Sequence, residues 1–366
     1  MKLKSDLGIS VLVISDLDRF VSLESFWDGE LRGRVDDPSL SSCILVEYWK
    51  FGLRLGYKPF MMVFLREGGI VGFAPLMMRS RFGFREVSNL DQHFYPDFFS
   101  DEVRKICINK LIDFLFKRLN SVSTNLTFED GSVNQKMLEK ICVKRSLHFS
   151  KALGEQQALL PVRSNLESFR ASLSSQSRRS FRRNYKRIDA LGSWEIYDVK
   201  IDSNSVKKIW EVEKHSWKNN LKGTDKTIKD FGLSLVLRAV QKNSDFNAFE
   251  SNVWFLDLNG VTIGYVLVLK TNKTAFFLKT SYDQRFRAIS PGKFMINDLI
   301  ERIFREQTVE TIDFMSNLPF FKNWNPIIKN RVVIKIDRNP LMSKLWRFVF
   351  KNQISYKTNK FLEDLN

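Results

Sequence analysis

YDQRFRAISPGKFMINDLIERIF, residues 282–304, combines a turn with the start of a helix. From Pro291 onward, apolar residues recur three and four positions apart, which predicts an amphipathic helix that runs to about Arg305. Ser290 is a residue type that commonly caps a helix, and proline is tolerated in the first turn. The stretch therefore predicts a helix that begins at the sequence Ser-Pro-Gly-Lys.

The same four residues are also suited to binding a phosphate. Gly292 has no side chain that would keep a ligand away from the backbone N–H groups of the first turn. Helix N-termini attract anions, and Arg287 and Lys293 add positive charge beside this one. Two interpretations stay open at this level, a phosphate site and an ordinary helix cap.

Strand patterns flank this helix. Residues 253–270 (VWFLDLNGVTIGYVLVLK) predict a β-hairpin, because Asn259-Gly260 between two apolar runs is a strong signal for a two-residue turn. AFFLKTSY at 275–282 predicts a third strand, and VETIDFM at 309–315 predicts a strand after the helix. The predicted order is three antiparallel strands, a turn suited to an anion, a helix and one more strand.

The first half of the chain repeats this plan. Phe60–Arg79 predicts a hairpin whose turn is Glu67-Gly68-Gly69. The other predicted elements are helices at about Ser39–Phe51, Val103–Leu119 and Val133–Lys144, and a strand at Thr124–Asp130. Both halves hold a hairpin, a helix and a strand in one order, which predicts an internal duplication. We expect domains at residues 1–160 and 161–338, followed by a basic, aromatic, helical tail at 339–366.

The net charge of +17, from 58 Lys and Arg against 41 Asp and Glu in 366 residues, is the strongest deviation in composition. Such a charge indicates an anionic partner: nucleic acid, an anionic lipid surface or a phosphorylated ligand. A basic surface that serves only solubility is the alternative.

Cysteine and histidine usage argues against a metal site. The three cysteines are widely spaced without a CxxC pair, and the three histidines are scattered, so neither a disulfide framework nor a zinc site is expected. The N-terminal apolar run lacks the features of a signal peptide, and no apolar stretch reaches the ~18 residues of a membrane span. We expect a cytoplasmic protein without a metal.

Several motifs together resemble a known family. YDQRFRAISPGKFMINDLIERIF followed by IDFMSNLPFFKNW is similar to the CelD-like branch of the GNAT acyltransferases, which is related to the FemAB group with its tandem GNAT-like domains. SLSSQSRRSFRRNYKRIDALG resembles the arginine-rich helix of that branch, and HSWKNNLKGT resembles its Ser-Trp-Lys signature. In the first half, APLMMR and LDQHFYPDFF also fit. The likeness departs at Phe321, where relatives carry Tyr, and at Trp324, which falls one residue early.

The resemblance implies a fold and a co-substrate. It implies an α/β fold with an α+β-type mixed sheet, arranged as two tandem GNAT-like domains of which the first is degenerate. It also implies that the second domain binds acyl-coenzyme A, most simply acetyl-coenzyme A, with its phosphates at the helix start. The coenzyme-binding residues implied in this way are Lys279, Thr280, Arg287, Ser290, Pro291, Gly292 and Lys293.

Four residues are candidates for the catalytic steps. Tyr282 is placed to protonate a leaving thiolate, and a packed tyrosine beside a turn is the alternative. Asp283 is a candidate proton acceptor or a turn-forming aspartate. Glu211 and His215 lie four apart on a predicted helix, which suits a base and its partner, while a solvated helix face is the alternative.

The acceptor side of the site is less defined. The run RRSFRRNYKR at 178–187 is too basic for an ordinary helix face and indicates an anionic acceptor, a lipid surface or the coenzyme phosphates. The substrate-binding candidates are Arg178, Arg182, Trp217, Lys218, Asp313, Phe321, Lys322 and Trp324. Core packing is the alternative for Trp217, and Lys322 is a candidate partner for Asp313.

The predicted function is transfer of an acyl group from acyl-coenzyme A to an amine of a sugar, polysaccharide or cell-envelope precursor by direct attack. One alternative is FemAB-like aminoacyl transfer from tRNA. The other is a non-catalytic protein that binds nucleic acid or the inner face of the membrane on a GNAT scaffold. The basic, aromatic C-terminal segment suits either a membrane surface or a cover over the second domain.

Overall fold

The computed structural model describes residues 8–32, 34–90, 95–216, 224–242, 249–339 and 341. The described strands are β1 (Ile9–Ile14), β2 (Lys58–Arg66), β3 (Gly69–Arg81), β4 (Phe84–Asn89), β5 (Asp97–Phe98), β6 (Ser123–Glu129), β7 (His148–Pro161), β8 (Trp194–Lys200), β9 (Glu250–Leu258), β10 (Val261–Lys270), β11 (Thr274–Tyr282), β12 (Thr311–Asp313) and β13 (Ile327–Asp337). The described α-helices are α1 (Leu17–Val21), α2 (Glu24–Leu31), α3 (Ser42–Arg54), α4 (Asp101–Asp113), α5 (Val133–Lys144), α6 (Leu166–Ser172), α7 (Ser175–Asp189), α8 (Ser203–Lys214), α9 (Thr224–Lys242) and α10 (Pro291–Glu306). Short 3₁₀ turns occupy Pro38–Leu40, Gln284–Ile289 and Pro319–Trp324, and a π-helical turn, Phe114–Arg118, follows α4.

The chain divides into two compact units. Unit 1 contains the described residues of Met1–Val35, Ser39–Glu155 and Asn330–Asn366, and unit 2 those of Asp36–Pro38 and Gln156–Lys329. The chain thus passes from one unit to the other within β7 and returns within β13. The predicted domains were 1–160 and 161–338, so Asn330–Asp337 of β13 lies in unit 1 although it was predicted with the second domain.

Unit 1 is a mixed sheet covered by helices. Its strand order is β1-β2-β3-β4-β6-β13, with β5 paired to β3. The pairs are antiparallel between β1, β2, β3 and β4 and between β6 and β13, whereas β4 and β6 run parallel. Apolar residues of α4 and α5, such as Leu111 and Leu138, pack with those of the sheet in one core.

Unit 2 repeats this arrangement within itself. Its strand order is β8-β9-β10-β11-β12-β7. The pair β11–β12 is parallel, and the pairs β8–β9, β9–β10, β10–β11 and β12–β7 are antiparallel. In both units a three-stranded meander leads into a helix, α4 or α10, and then into a strand parallel to the last one. The predicted α/β class with a mixed sheet is confirmed, and so is the repeated order of elements.

Most predicted elements exist, with shifted ends. α3 begins at Ser42 instead of Ser39, because the carboxylate of Asp28 accepts hydrogen bonds from Ser42 N (2.8 Å) and Ser42 Oγ (2.5 Å). The helix predicted at Val103–Leu119 is α4 followed by the π-helical turn. The strands β1, β4, β5, β7, β8 and β13 were not predicted.

A glycine of unit 1 provides a test of this packing. A β-carbon on Gly72 of β3 would lie 2.6 Å from Phe98 Cδ1 and 2.9 Å from the carbonyl oxygen of Asp97, both on β5. We therefore expect Gly72→Ala to lower the free energy of unfolding by about 1–3 kcal/mol through overpacking. Urea unfolding measures this loss of stability. Gly29→Ala in α2 is the control, because a β-carbon there meets no atom within 4 Å. Equal midpoints for both variants would contradict this packing.

Candidate active site

β11 continues past the end of its parallel neighbour. Its pairs with β12 run from Thr274 to Phe276, where β12 ends at Asp313. On its other edge β11 pairs with β10 as far as the pair Tyr282–Gly264, and an irregularity leaves Leu278 without an opposite residue. The segment of β11 that was predicted to hold a coenzyme therefore lies beyond the parallel pairing, next to a bulge.

The helix start after β11 lacks a side-chain cap. Ser290 has a left-handed backbone (φ 52°, ψ 60°), and among the described residues its hydroxyl makes no capping hydrogen bond. Pro291 occupies the first helical position, and the first helical bond runs from Phe294 N to the carbonyl of Ser290 (3.0 Å). Ser290 thus has the predicted position but does not cap with its side chain. The N–H groups of Gly292 and Lys293 receive no such cap and can donate to an anion.

Gly292 brings this helix start against β11. A β-carbon at Gly292 would lie 3.4 Å from Tyr282 Cδ1 and 3.8 Å from Thr280 Oγ1. One turn further along α10, the sulfur of Met295 would lie 3.0 Å from a β-carbon on Gly264. The contact is tight at Gly264, whereas at Gly292 a β-carbon would make an ordinary contact and larger side chains would crowd Tyr282.

Lys293 points away from β11, to α7 and the 3₁₀ turn near the end of unit 2. Its ammonium donates to Ser180 Oγ (3.0 Å) and Asn323 Oδ1 (2.9 Å) and lies 5.0 Å from the centre of the Phe181 ring. Burial, and then the charge of Arg183, lower its pKa. Lys293 therefore ties α10 to its neighbours, while the other predicted cation, Arg287, is exposed.

Asp283 follows β11 and is buried. Its carboxylate accepts from Arg285 N (2.9 Å), Arg285 Nε (2.9 Å) and Arg285 Nη2 (2.5 Å), and so caps the 3₁₀ turn at Gln284–Ile289. Burial would raise the pKa of Asp283, but the hydrogen bonds and charge of Arg285 outweigh it and lower the pKa. This carboxylate caps the turn, which favours the turn-forming alternative, and its role as a proton acceptor stays a prediction. Tyr282, by contrast, is half-exposed beside Gly292.

The carboxylate that α8 turns inward is not the predicted one. α8 ends at Lys214, so His215 is its exposed C-cap, and the exposed Glu211 pairs with Lys214 Nζ (2.6 Å). The predicted Glu211–His215 pair is thus not supported. Glu213 is buried and accepts from Tyr265 Oη (2.5 Å) and Ser216 Oγ (3.1 Å). The predicted substrate residues Trp217 and Lys218 lie outside the described residues.

The basic run on α7 divides into structural and exposed cations. Arg178 donates to the carbonyls of Ala171 (3.0 Å) and Leu173 (2.5 Å) at the end of α6, which gives it a structural contact, and its role in substrate binding stays a prediction. Arg187 donates to the carbonyl of Ala288 (3.1 Å). The remaining four, called the basic stripe below, share one helix face at i, i+3, i+4 and i+7. They are Arg179, Arg182, Arg183 and Lys186, all exposed and without an ion pair to any acidic residue that the structure describes.

The other predicted substrate residues are mostly structural. Asp313 is buried and accepts from Met315 N (2.6 Å) and from Gln157 Nε2. Phe321 stacks on Phe314 with ring centres 4.4 Å apart. Trp324 is fully buried and donates to Asn297 Oδ1 (3.1 Å). These contacts favour core packing and turn formation, and substrate contact by the three residues stays a prediction, whereas Lys322 is exposed.

Two absences hold for the described part of the chain. It contains no group of three or more His, Cys, Asp or Glu side chains that would hold a metal ion. Within the same residues, every helix is too short or too polar to cross a bilayer.

The buried carboxylate of Asp283 predicts a pH-dependent contribution to stability. Because its folded pKa is lowered, the stabilisation is complete above the unfolded pKa of about 3.9 and is lost as the pH falls through the folded pKa. We expect Asp283→Asn to lower the free energy of unfolding by about 1–2 kcal/mol at neutral pH, since charged hydrogen bonds to Arg285 are lost. Urea unfolding at decreasing pH should show that the difference in free energy of unfolding between Asp283→Asn and the unmutated protein becomes smaller. A gap that persists below the folded pKa would contradict this.

The basic stripe predicts a gain in stability when its charge is reduced. Like charges three and four apart on a helix destabilise it, so Arg182→Glu should raise the free energy of unfolding by about 0.3–0.8 kcal/mol at low salt. Arg178→Gln, on the same helix, should lower it because carbonyls of α6 lose their donor. Urea unfolding at low and high salt distinguishes the two, and a loss of stability in Arg182→Glu would show that Arg182 is structural as well.

Comparisons with known proteins agree with this fold. Residues 175–323 match the family model described as acetyltransferase (GNAT) domain. No curated protein sequence matches the chain. The structure of FemX aligns with a TM-score of 0.61 and 13% identity over 87% of this chain and 97% of that one. L-PGS from Bacillus licheniformis aligns with a TM-score of 0.54 and 9% identity over 94% of this chain and 98% of that one. The C-terminal domain of a putative lysylphosphatidylglycerol synthetase from Agrobacterium fabrum aligns with a TM-score of 0.52 and 13% identity. The alignment covers 91% of this chain and 95% of that one. The segment 175–323 is therefore similar in sequence to GNAT acetyltransferase domains, and the chain shares the fold of these structures.

Proposed function

We propose that unit 2 transfers an acyl group from acyl-coenzyme A to an amine by direct attack. The observation that carries this is the uncapped start of α10, packed through Gly292 against the part of β11 that extends beyond β12. An anion-binding helix start beside strand amides suits a long ligand with phosphates at one end and a thioester at the other. Acetyl-coenzyme A is the simplest such donor.

The residues present fit the coenzyme. Backbone groups between Lys279 and Tyr282 would hold the pantetheine arm, and the first turn of α10 would hold the pyrophosphate, with Arg287 exposed nearby. The coenzyme supplies the thioester carbonyl. Tyr282, half-exposed beside Gly292, is the proton donor for the leaving sulfur. Electrostatic stabilisation of the developing oxyanion by strand amides accounts for much of the expected rate enhancement.

Unit 1 has the same order of elements but a different helix start. α4 carries Asp101 and Glu102 in its first turn, and Asp101 forms an ion pair with the buried Arg104. At the end of β4, beside the parallel pair β4–β6, the side-chain oxygen of Asn89 accepts from Thr127 N of β6 (2.9 Å). Acidic side chains repel phosphate, and the asparagine already occupies a donor of the neighbouring strand. Unit 1 therefore binds no coenzyme in this proposal, and the chain binds one.

The basic stripe supports an acceptor that carries a negative charge. Four exposed cations on one face of α7 bind a phosphate or carboxylate better than a neutral sugar. Arg183 of this stripe is close enough to Lys293 to lower its pKa, so the stripe lies near the α10 start within unit 2. An amine on a phosphate-bearing sugar or cell-envelope precursor would supply both the nucleophile and the negative charge.

The same stripe favours one alternative, aminoacyl transfer from tRNA. An RNA backbone would also be bound by exposed arginines, and its affinity would fall steeply with salt. The alternative shares the fold and differs in the donor, so binding of the donor distinguishes the two.

Calorimetric titration with acetyl-coenzyme A tests the proposal. We expect one molecule bound per chain, and an affinity at least about 10-fold weaker in Gly292→Val, because the added side chain must displace Tyr282 and covers the first-turn amides. Gly29→Val serves as the control, since that glycine is helical and open and lies in unit 1.

Three results would contradict the proposal. Two molecules bound per chain would exclude the assignment to unit 2 alone. Equal affinities in Gly292→Val and Gly29→Val would place the coenzyme elsewhere. Binding of bulk tRNA that weakens steeply with salt, together with no heat from acetyl-coenzyme A, would favour the aminoacyl-transfer alternative.

A further inference from the structure

We propose that Glu213 is the proton acceptor for the acceptor amine, held in place by Tyr265. This inference rests on the proposed amine transfer and assigns the side of the sheet at which the amine binds. It concerns a residue that differs from the predicted bases Glu211 and Asp283.

Glu213 occupies a position that helix packing reserves for apolar residues. The inward stripe of α8 and the residues after it consists of Ile209, Val212, Glu213 and Ser216, all at most 5% exposed. A buried carboxylate costs free energy unless hydrogen bonds or charges compensate it, so an apolar residue would stabilise this face more simply. A carboxylate kept at such a position is a candidate for chemistry.

Its hydrogen bonds place it over β10 and β11. Both hydroxyl groups, Tyr265 Oη and Ser216 Oγ, donate to it, one to each carboxylate oxygen. Tyr265 is fully buried on β10 and lies directly opposite Ser281 on β11. Residues directly opposite in an antiparallel pair share one face of the sheet, so Ser281 lies on the side of α8.

Ser281 adds an independent observation. Its side chain is 1% exposed, and its hydroxyl has no hydrogen-bond partner among the described residues. Buried hydroxyl groups are nearly always paired, so this one indicates a polar group that is supplied by a ligand. A nitrogen of the amine would meet a hydroxyl and a carboxylate on this face.

β11 then separates the two reactants. Thr280 and Tyr282 face α10, whose start would hold the coenzyme phosphates, whereas Ser281 faces α8 and Glu213. The end of α8 is fixed to the end of β11, because Gln284 N donates to the carbonyl of His215 (2.9 Å). The amine would thus approach the thioester from the face opposite α10.

The proton balance of the reaction needs such an acceptor. A protonated amine gives one proton to Glu213, directly or through the hydroxyl of Tyr265 or Ser216. Its neutral nitrogen forms the C–N bond to the thioester carbonyl carbon, and the C–S bond breaks. Tyr282 gives its proton to the leaving sulfur and is reprotonated by the second proton that the nitrogen loses. Glu213 then releases its proton to water.

Two nucleophiles of different basicity test this assignment on the full chain. Ethanolamine is protonated near neutral pH and needs a base, whereas hydroxylamine is largely neutral and does not. The probe is release of free coenzyme A from acetyl-coenzyme A with each amine. For Glu213→Gln we expect a loss of about 100-fold or more with ethanolamine and less than about 3-fold with hydroxylamine, and the ethanolamine rate should recover as the pH rises.

Glu211→Gln is the matched control, since it removes an exposed carboxylate from the same helix. It should leave both rates within about 2-fold. Tyr265→Phe should reduce the ethanolamine rate more than the hydroxylamine rate, and its coenzyme affinity, like that of Glu213→Gln, should stay unchanged.

The outcomes separate the two proposals. If Glu213→Gln behaves like Glu211→Gln, or loses both reactions equally while it binds the coenzyme normally, Glu213 is not the base although amine transfer stands. If Glu213→Gln fails to bind the coenzyme, equal losses of both reactions in Tyr265→Phe would overturn the assignment. If the unmutated protein binds acetyl-coenzyme A but acylates neither amine, both proposals fail.

Discussion

Close contact between the start of α10 and the end of β11 is the constraint on which the rest of unit 2 depends. Gly292 and Gly264 permit it, because a β-carbon at either position would lie 3.0–3.4 Å from a neighbouring side chain. The left-handed backbone of Ser290 turns the chain from the 3₁₀ segment into the helix without using the serine hydroxyl as a cap. The positive end of the helix dipole and the N–H groups of Gly292 and Lys293 consequently lie beside the end of β11, which extends beyond its pairing with β12.

Local signals made this part of the fold predictable. The hairpin at Asn259-Gly260 and the helix after Pro291 carry turn and periodicity patterns that need no knowledge of tertiary contacts. β7 carries no such pattern, since its first half is largely exposed and does not alternate, whereas β13 does have alternating buried β-branched residues at Val332, Ile334 and Ile336. Their place in the sheet depends on partners far away in sequence, such as the pairing of β13 with β6.

The side-chain directions at the candidate site were less predictable than the fold, for a related reason. Residue type and spacing identified a basic helix and acidic residues on α8, but the direction of each side chain depends on where a helix ends and what it packs against. Arg178 is drawn to the carbonyls of α6, and α8 stops before His215. The inward direction of Glu213 was readable from the sequence, because Ile209 and Val212 mark the buried face. The pairing of Asp283 with Arg285 was not readable from the sequence.

The two units share one arrangement of strands but differ in charge at the corresponding helix start. Each has a meander, a helix and a parallel strand, but α4 begins with two acidic residues and α10 with none. A charge of this sign at a helix N-terminus stabilises the helix itself and excludes phosphate from it. Among the described residues, the start of α4 also lacks a side-chain cap, so the two helix starts differ in their acidic residues and not in whether their amides are capped. In unit 2 the corresponding cost is visible on α7, where four cations repel one another on one face. Dissolved salt screens that repulsion and a bound anion would also relieve it, which supports the proposal of a phosphate-bearing acceptor over a neutral one.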